Sequence, residues 1–422
     1  MEMVFGTWGA LAALAIAIVL IVRKVPPVYA LVFSALVGGL LGGGSAAATT
    51  SAMIDGAKGM MPPVLRILAS GVLAGALIRT GAAAKLAEAI VGGLGARFAL
   101  PAVALATMII CASGVFIDIA VITVAPVALA VGRTAGLSVP ALLLAMIGGG
   151  KAGNIISPNP NTIAAADAFK VDLTRLMLEN AVPAFAALAA TILLAQLLNS
   201  RSAASCPQSQ APDLQASSTV RQPSLMAAMA GPITVVGLLA LRPLAAITVD
   251  PLVALPAGGL VTMFFTGRCR EVVAISEFGL SKVAGVAVLL IGTGTVAGVI
   301  RQSGLNADVI AFLQFVHLPA FALAPVSGVL MAGATASTTA GATVAAQTFS
   351  GALLEAGVPA ISAAAMIHAG ATVVDSLPHG SFFHATGGAV FMSIRERLKL
   401  IPYEAMIGLV ATIAAVVWAR CV

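Results

Sequence analysis

The chain has 422 residues, of which 60% are hydrophobic and 9% charged, against about 25% charged in a soluble domain. Mean hydropathy is +1.06. That excludes a soluble enzyme, a secreted disulfide scaffold and a disordered protein. The net charge of +6 is spread as basic residues between apolar runs, the pattern of membrane topology and not of a nucleic-acid partner. The runs are continuous and longer than barrel strands. An all-α polytopic membrane protein is therefore expected. Cys111, Cys206, Cys269 and Cys421 are scattered without a CxxC spacing, so no metal site and no resident cofactor is expected.

In chain order, residues 1–24 read as an N-terminal helix. Glu2 and the lack of a basic leader speak against a cleaved signal. Residues 25–200 read as a first repeat, with a re-entrant hairpin at 98–134 and a broken helix at 138–170. Residues 201–224 are rich in Ser, Gln, Ala and Pro and read as a cytoplasmic linker. Residues 225–422 read as a second repeat, with its hairpin at 309–356 and its broken helix at 358–391. The duplication rests on matches in order. Gly71 to Gly81 resembles Gly294 to Gly304. Val139-Pro140 echoes Val358-Pro359, Pro158 falls on Pro378, and Ala165 on Ala385.

Placing the N-terminus outside puts fourteen basic residues in the cytoplasm, Arg23, Lys24 and Lys282 among them. Six fall outside, and Arg66 and Lys151 lie at membrane depth. The positive-inside rule then predicts N-out and C-out in a bacterial-type cytoplasmic (inner) membrane. The two hairpins enter from opposite sides, so the repeats are expected to be inverted, as in many secondary transporters.

Interrupted helices at membrane depth expose backbone groups that need a wet cavity or a ligand. Four interruptions supply the candidate residues. The first hairpin tip carries Ser113 and Gly114, with Asp118 one turn on. A carboxylate that deep is a proton carrier, an ion ligand, or a partner for Arg66 or Lys151. The run Gly148 to Thr162 offers Lys151, Asn154, Ser157, Asn159, Asn161 and Thr162, neutral hydrogen-bonding groups beside one cation. Its glycines allow close backbone approach, and its two prolines forbid a regular helix, so the whole run is expected to form the break. The second tip offers Thr335, Ser337, Thr338 and Thr339. The run His368 to His384 offers Ser381 and three titratable groups, Asp375, His379 and His384, as proton-coupling candidates. No HExxH motif is present, and the loose histidine spacing predicts no metal. His317 reads as interfacial.

The run Ala365 to His384, with Met392 to Glu404, resembles the gluconate:proton symporter (GntP) family of the ion transporter superfamily. Gly153 to Phe169 looks like that family's first broken helix, though Asn-rich where gluconate carriers often have a His/Gly/Pro-rich loop. The resemblance implies five spans per inverted repeat, one extra helix, an elevator-like transport domain and a homodimer. It implies a sugar acid or other small hydroxylated carboxylate as substrate, carried by proton symport. Sodium coupling and cation/proton antiport are the transport alternatives. No nucleophile–base pair recommends an intramembrane enzyme, and two-sided hairpins fit alternating access better than a channel.

Overall fold

The computed structural model describes residues 4–95, 98–201, 223–245, 247–315, 319–378 and 380–421. They form helices joined by short turns. The first half runs α1 (Thr7–Val22), α2 (Pro27–Leu41), α3 (Ala46–Lys58), α4 (Met61–Arg79), α5 (Ala82–Leu94), α6 (Ala99–Ala112), α7 (Ile117–Ala135), α8 (Val139–Ile155), α9 (Pro160–Phe169), α10 (Leu173–Glu179) and α11 (Ala181–Arg201). The second runs α12 (Leu225–Ala245), α13 (Pro251–Phe265), α14 (Val272–Arg301), α15 (Leu305–Phe315), α16 (Leu323–Thr335), α17 (Thr338–Glu355), α18 (Ala360–Gly370), α19 (Ser381–Ala389), α20 (Ile394–Leu398) and α21 (Ile401–Cys421). Most of the 201–224 linker lies outside the described residues, as do His317 and His379.

Among the described residues, six stretches are long and apolar enough to cross a bilayer: Met61–Arg79, Ile117–Ala135, Val139–Phe169, Ala181–Arg201, Cys269–Arg301 and Ile394–Cys421. The longest single helix, α14, has 30 residues and no proline, so it extends about 45 Å. The arms of the second hairpin are α16 and α17. The stretch from residue 309, expected to open that hairpin, instead belongs to the separate helix α15. Pro319 lies between α15 and the hairpin, where it cannot continue a helix.

The helices pack in two groups. In the first, α14 lies against α2, α3 and α4, while α13 packs on α4 and α12. These contacts are backbone-close. A Cβ at Gly279 of α14 would sit 1.9 Å from the Gly71 carbonyl oxygen of α4. Small residues are how membrane helices gain packing without a hydrophobic driving force. In the second group, each hairpin packs on a broken helix: α6 on α8, and α16 on α18. The second arms cross over between the halves. Helix α9 packs on α17, and α19 on α7. That crossing brings all four interruptions together.

Candidate functional site

Helix α8 runs unbroken through Gly148, Gly149 and Gly150 to Ile155. The break expected from Gly148 therefore starts later, while the close backbone approach that the glycines allow is seen at their neighbours. A Cβ at Gly149 would lie 2.0 Å from the Ala104 oxygen, and one at Gly153 2.2 Å from the Met108 oxygen. The glycines are the seat of α6, a small-xxx-small face. The break is confined to Ile156–Asn159, where Pro158 and Pro160 forbid a regular turn. Asn159 closes it. Its side-chain oxygen accepts from the Asn161 and Thr162 backbone N–H groups at 2.9 and 3.1 Å, and its amide nitrogen donates to the Asn154 carbonyl at 2.9 Å. This is an N-cap that also ties the two half-helices together.

The second half uses the same device. A Cβ at Gly328 would lie 2.3 Å from the Ile367 oxygen, and one at Gly370 2.4 Å from the Pro325 oxygen. The hairpin tip is two residues long. Ala336 takes a left-handed conformation, φ 47°, and the Ser337 hydroxyl caps α17 by accepting from the Ala340 N–H. Helix α18 ends at Gly370. Residues 371–378 are not helical, and α19 begins after Gly380.

The interruptions enclose one cavity of about 1120 Å³. The first turns of α7, α17 and α19 line it, and Asn161 brings the start of α9 to it. Of the sequence candidates, Asp118, Asn154, Asn161, Thr335, Ser337, Thr338, Thr339, Asp375, Ser381 and His384 line the cavity. Ser113, Gly114, Lys151, Ser157, Asn159 and Thr162 lie outside its lining. Ser113 spends its hydroxyl on the Ile110 carbonyl, 2.7 Å away. His384 holds its Nε2 2.8 Å from the Pro378 carbonyl oxygen. His379 falls outside the described residues.

The charges sort by partner. Lys151 of α8 is buried and lies 2.7 Å from Asp375 Oδ1. It also donates to the Thr372 and Glu404 carbonyls at 2.5 and 3.3 Å. Three partners match the three N–H bonds of an ammonium. The Thr338 hydroxyl donates to the other Asp375 oxygen at 2.6 Å. Arg66 of α4 binds Asp250 in a two-pronged pair, 3.1 and 2.7 Å, and also pairs with Asp167 of α9. Neither cation therefore serves Asp118, the partner first considered for them. Asp118 makes no ion pair among the described residues. Arg397 of α20 is buried against Glu404 of α21. Two further cations line the cavity, Lys24 and Lys282. Sequence reasoning passed over them because single lysines at helix ends read as topology signals. Among the described residues, no three His, Cys, Asp or Glu side chains cluster to hold a metal.

Two polar atoms on the cavity wall have no hydrogen-bond partner: Asn154 Nδ2 and Asn161 Oδ1, in residues 1% and 2% exposed. Unpaired buried polar atoms cost about 1–3 kcal/mol each. Together they present one donor and one acceptor, the two valences an alcohol satisfies.

Comparison with known proteins places this arrangement. Residues 7–421 match the GntP family permease description. The chain belongs to that family. A Haemophilus influenzae protein named "Uncharacterized transporter" is 53% identical over 407 residues, 96% of each chain. A second protein of that organism, named "Uncharacterized permease", is 28% identical over 196 residues, 46% of this chain and 40% of the relative. The crystal structure of the Alcanivorax borkumensis YdaH transporter, described as revealing an unusual topology, superposes with a TM-score of 0.65. It covers 88% of each chain at 17% identity, a likeness of fold alone. The permease is thus a multi-pass membrane transporter, and permeases are not enzymes.

Proposed function

We propose that this permease takes up a small hydroxylated carboxylate, gluconate or a related sugar acid, by proton symport. One observation carries the reading. Asn154 and Asn161 hold an unpaired donor and an unpaired acceptor on the wall of the cavity where the half-helices begin. Hydroxyl groups answer the amides. Helix starts favour an anion, and α7 and α19 begin without a side-chain cap. Ser337, Thr338, Thr339 and Ser381 add hydroxyls along the same wall.

Asp118 is the proposed proton carrier, because it lines the cavity with no basic partner within ion-pair distance among the described residues. Asp375, fixed by Lys151 and Thr338, sets the geometry of the tip. The hairpins and broken helices move as an elevator against the α2–α4 and α12–α14 framework. In this reading the repeats are inverted, the termini lie outside a cytoplasmic membrane, and two copies form the working unit.

A second reading is sodium coupling, as a sodium-coupled organic-anion symporter or a cation/proton antiporter. Its support is the cluster of tip oxygens, in which the Thr335 hydroxyl lies 3.2 Å from the Ser337 carbonyl. Uptake of labelled gluconate and glycerate into proteoliposomes tests both. Accumulation under a proton gradient alone supports symport. Accumulation that needs sodium transfers the coupling role to the tips. No uptake of either acid under either gradient removes the hydroxy-acid reading.

A further inference from the structure

We infer that Lys24 and Lys282 form a cationic site at the cytoplasmic rim of the cavity, which holds the substrate's carboxylate on its way between the hairpin tips and the cytoplasm. The inference rests on the proposed anionic substrate.

Both lysines line the cavity, both are exposed, and they come from different elements. Lys24 sits in the turn between α1 and α2, and Lys282 in α14. Neither element belongs to the hairpins or the broken helices. The buried floor holds Asn154, Asn161 and Asp375, whereas the two lysines are solvent-reachable. The basic residues Arg66, Lys151 and Arg397 are each engaged by carboxylates. Lys24 and Lys282 have no ion-pair partner among the described residues. Asp375 is matched by Lys151, so the lining carries two unpaired lysines against one unpaired carboxylate, Asp118. An excess positive charge in a narrow cavity raises the local concentration of anions.

The backbone at Lys24 adds an independent observation. Its φ is +65°, the left-handed region where a side chain is strained and glycine is at ease. It closes α1 as a Schellman turn, with the Lys24 N–H on the Ile21 carbonyl and the Val25 N–H on the Leu20 carbonyl, at 2.9 and 3.0 Å. Glycine serves that position better, so a lysine there is retained against local cost. Lys282 is steadied differently. Its ammonium lies 4.9 Å from the centre of the Phe278 ring, a cation–π contact that leaves the charge free for an anion.

The competing role for these residues is a topology anchor. The test separates the two with labelled gluconate, or another panel acid that the wild type carries, offered to the cytoplasmic face in inside-out proteoliposomes. In the Lys24→Gly/Lys282→Gln double variant the apparent KM should rise roughly tenfold, within the range for electrostatic steering. Vmax should hold, and the dependence of KM on ionic strength should flatten. The Lys24→Arg/Lys282→Arg variant should keep the wild-type KM. Lys24→Gly alone should melt no lower than the wild type, since glycine fits the turn. An unchanged KM in the double variant overturns the rim site alone. Loss of Vmax with inverted topology also overturns it, in favour of the anchor. A folded wild type that carries no acid of the panel overturns the proposed function, and this inference with it.

Discussion

Lys151 and Asp375 meet at 2.7 Å across the two halves of the chain, 1% and 2% exposed. Their contact holds α8 of the first half to the unwound stretch of the second. Thr338 joins from the second hairpin tip. A buried charge stripped of its partner costs about 3–5 kcal/mol, whereas replacing both members by apolar residues is often neutral. Lys151→Met should therefore lower the unfolding free energy of the detergent-solubilised protein by about 3–5 kcal/mol. Lys151→Met/Asp375→Leu should recover most of that loss. A single variant as stable as the wild type would show the pair to be dispensable for folding.

Arg66 makes a different joint, between α4, α9 and the start of α13. Asp250 caps α13 by accepting from the Leu252 N–H at 2.8 Å. Its hydrogen bonds from Arg66 hold its carboxyl below the usual carboxylate range. A lowered folded-state value stabilises the protein above the unfolded carboxylate pKa of about 3.9. That contribution disappears as pH falls through the folded value. Arg66→Gln should remove it at neutral pH and flatten the acid limb of the melting profile below about pH 5. Melting temperatures across that range decide the point. A variant whose acid limb matches the wild type's would put the stabilisation elsewhere.

Asp118→Asn should fold and bind substrate but no longer accumulate it against a gradient. Counterflow, which needs no coupling ion, should persist. The measurement is uptake with and without a proton gradient beside counterflow in the same vesicles. Normal concentrative uptake with unaltered pH dependence would sink the proton-carrier role.

Asn154→Ala and Asn161→Ala each leave one polar valence unmatched by substrate. Each should weaken competition by hydroxylated acids by about 0.5–1.5 kcal/mol, the net worth of one neutral hydrogen bond. Competition by an unsubstituted acid of equal length should barely move. Equal losses for both acids would mean that the amides shape the wall and do not read hydroxyls.

Much of the site was legible in the sequence because prolines, asparagines and hydroxyls are costly inside a membrane helix. The interruptions at Ile156–Asn159 and 371–378 fall where Pro158, Asn159, Asp375 and Pro378 announce them. The break starts later than the Gly148–Gly150 triplet suggests, because glycine has two uses, loosening a helix and admitting a neighbour. Only the position of Ala104 on α6 tells which applies. Ion-pair partners were also illegible. Arg66 finds Asp250 184 residues away, and no local pattern records such a meeting. Lys24 and Lys282 look like ordinary boundary charges until the cavity between their helices is seen.

The crossing of α9 onto α17 and α19 onto α7 has a consequence during synthesis. Lys151 leaves the ribosome 221 residues before the Thr372 carbonyl that receives it. At about 5–20 residues per second, that interval is on the order of ten to forty seconds. Throughout it, a lysine and the uncapped start of α7 wait at membrane depth without their complements. The first half cannot mature alone. Lys151 stays hydrated or neutral until the second half supplies its partners.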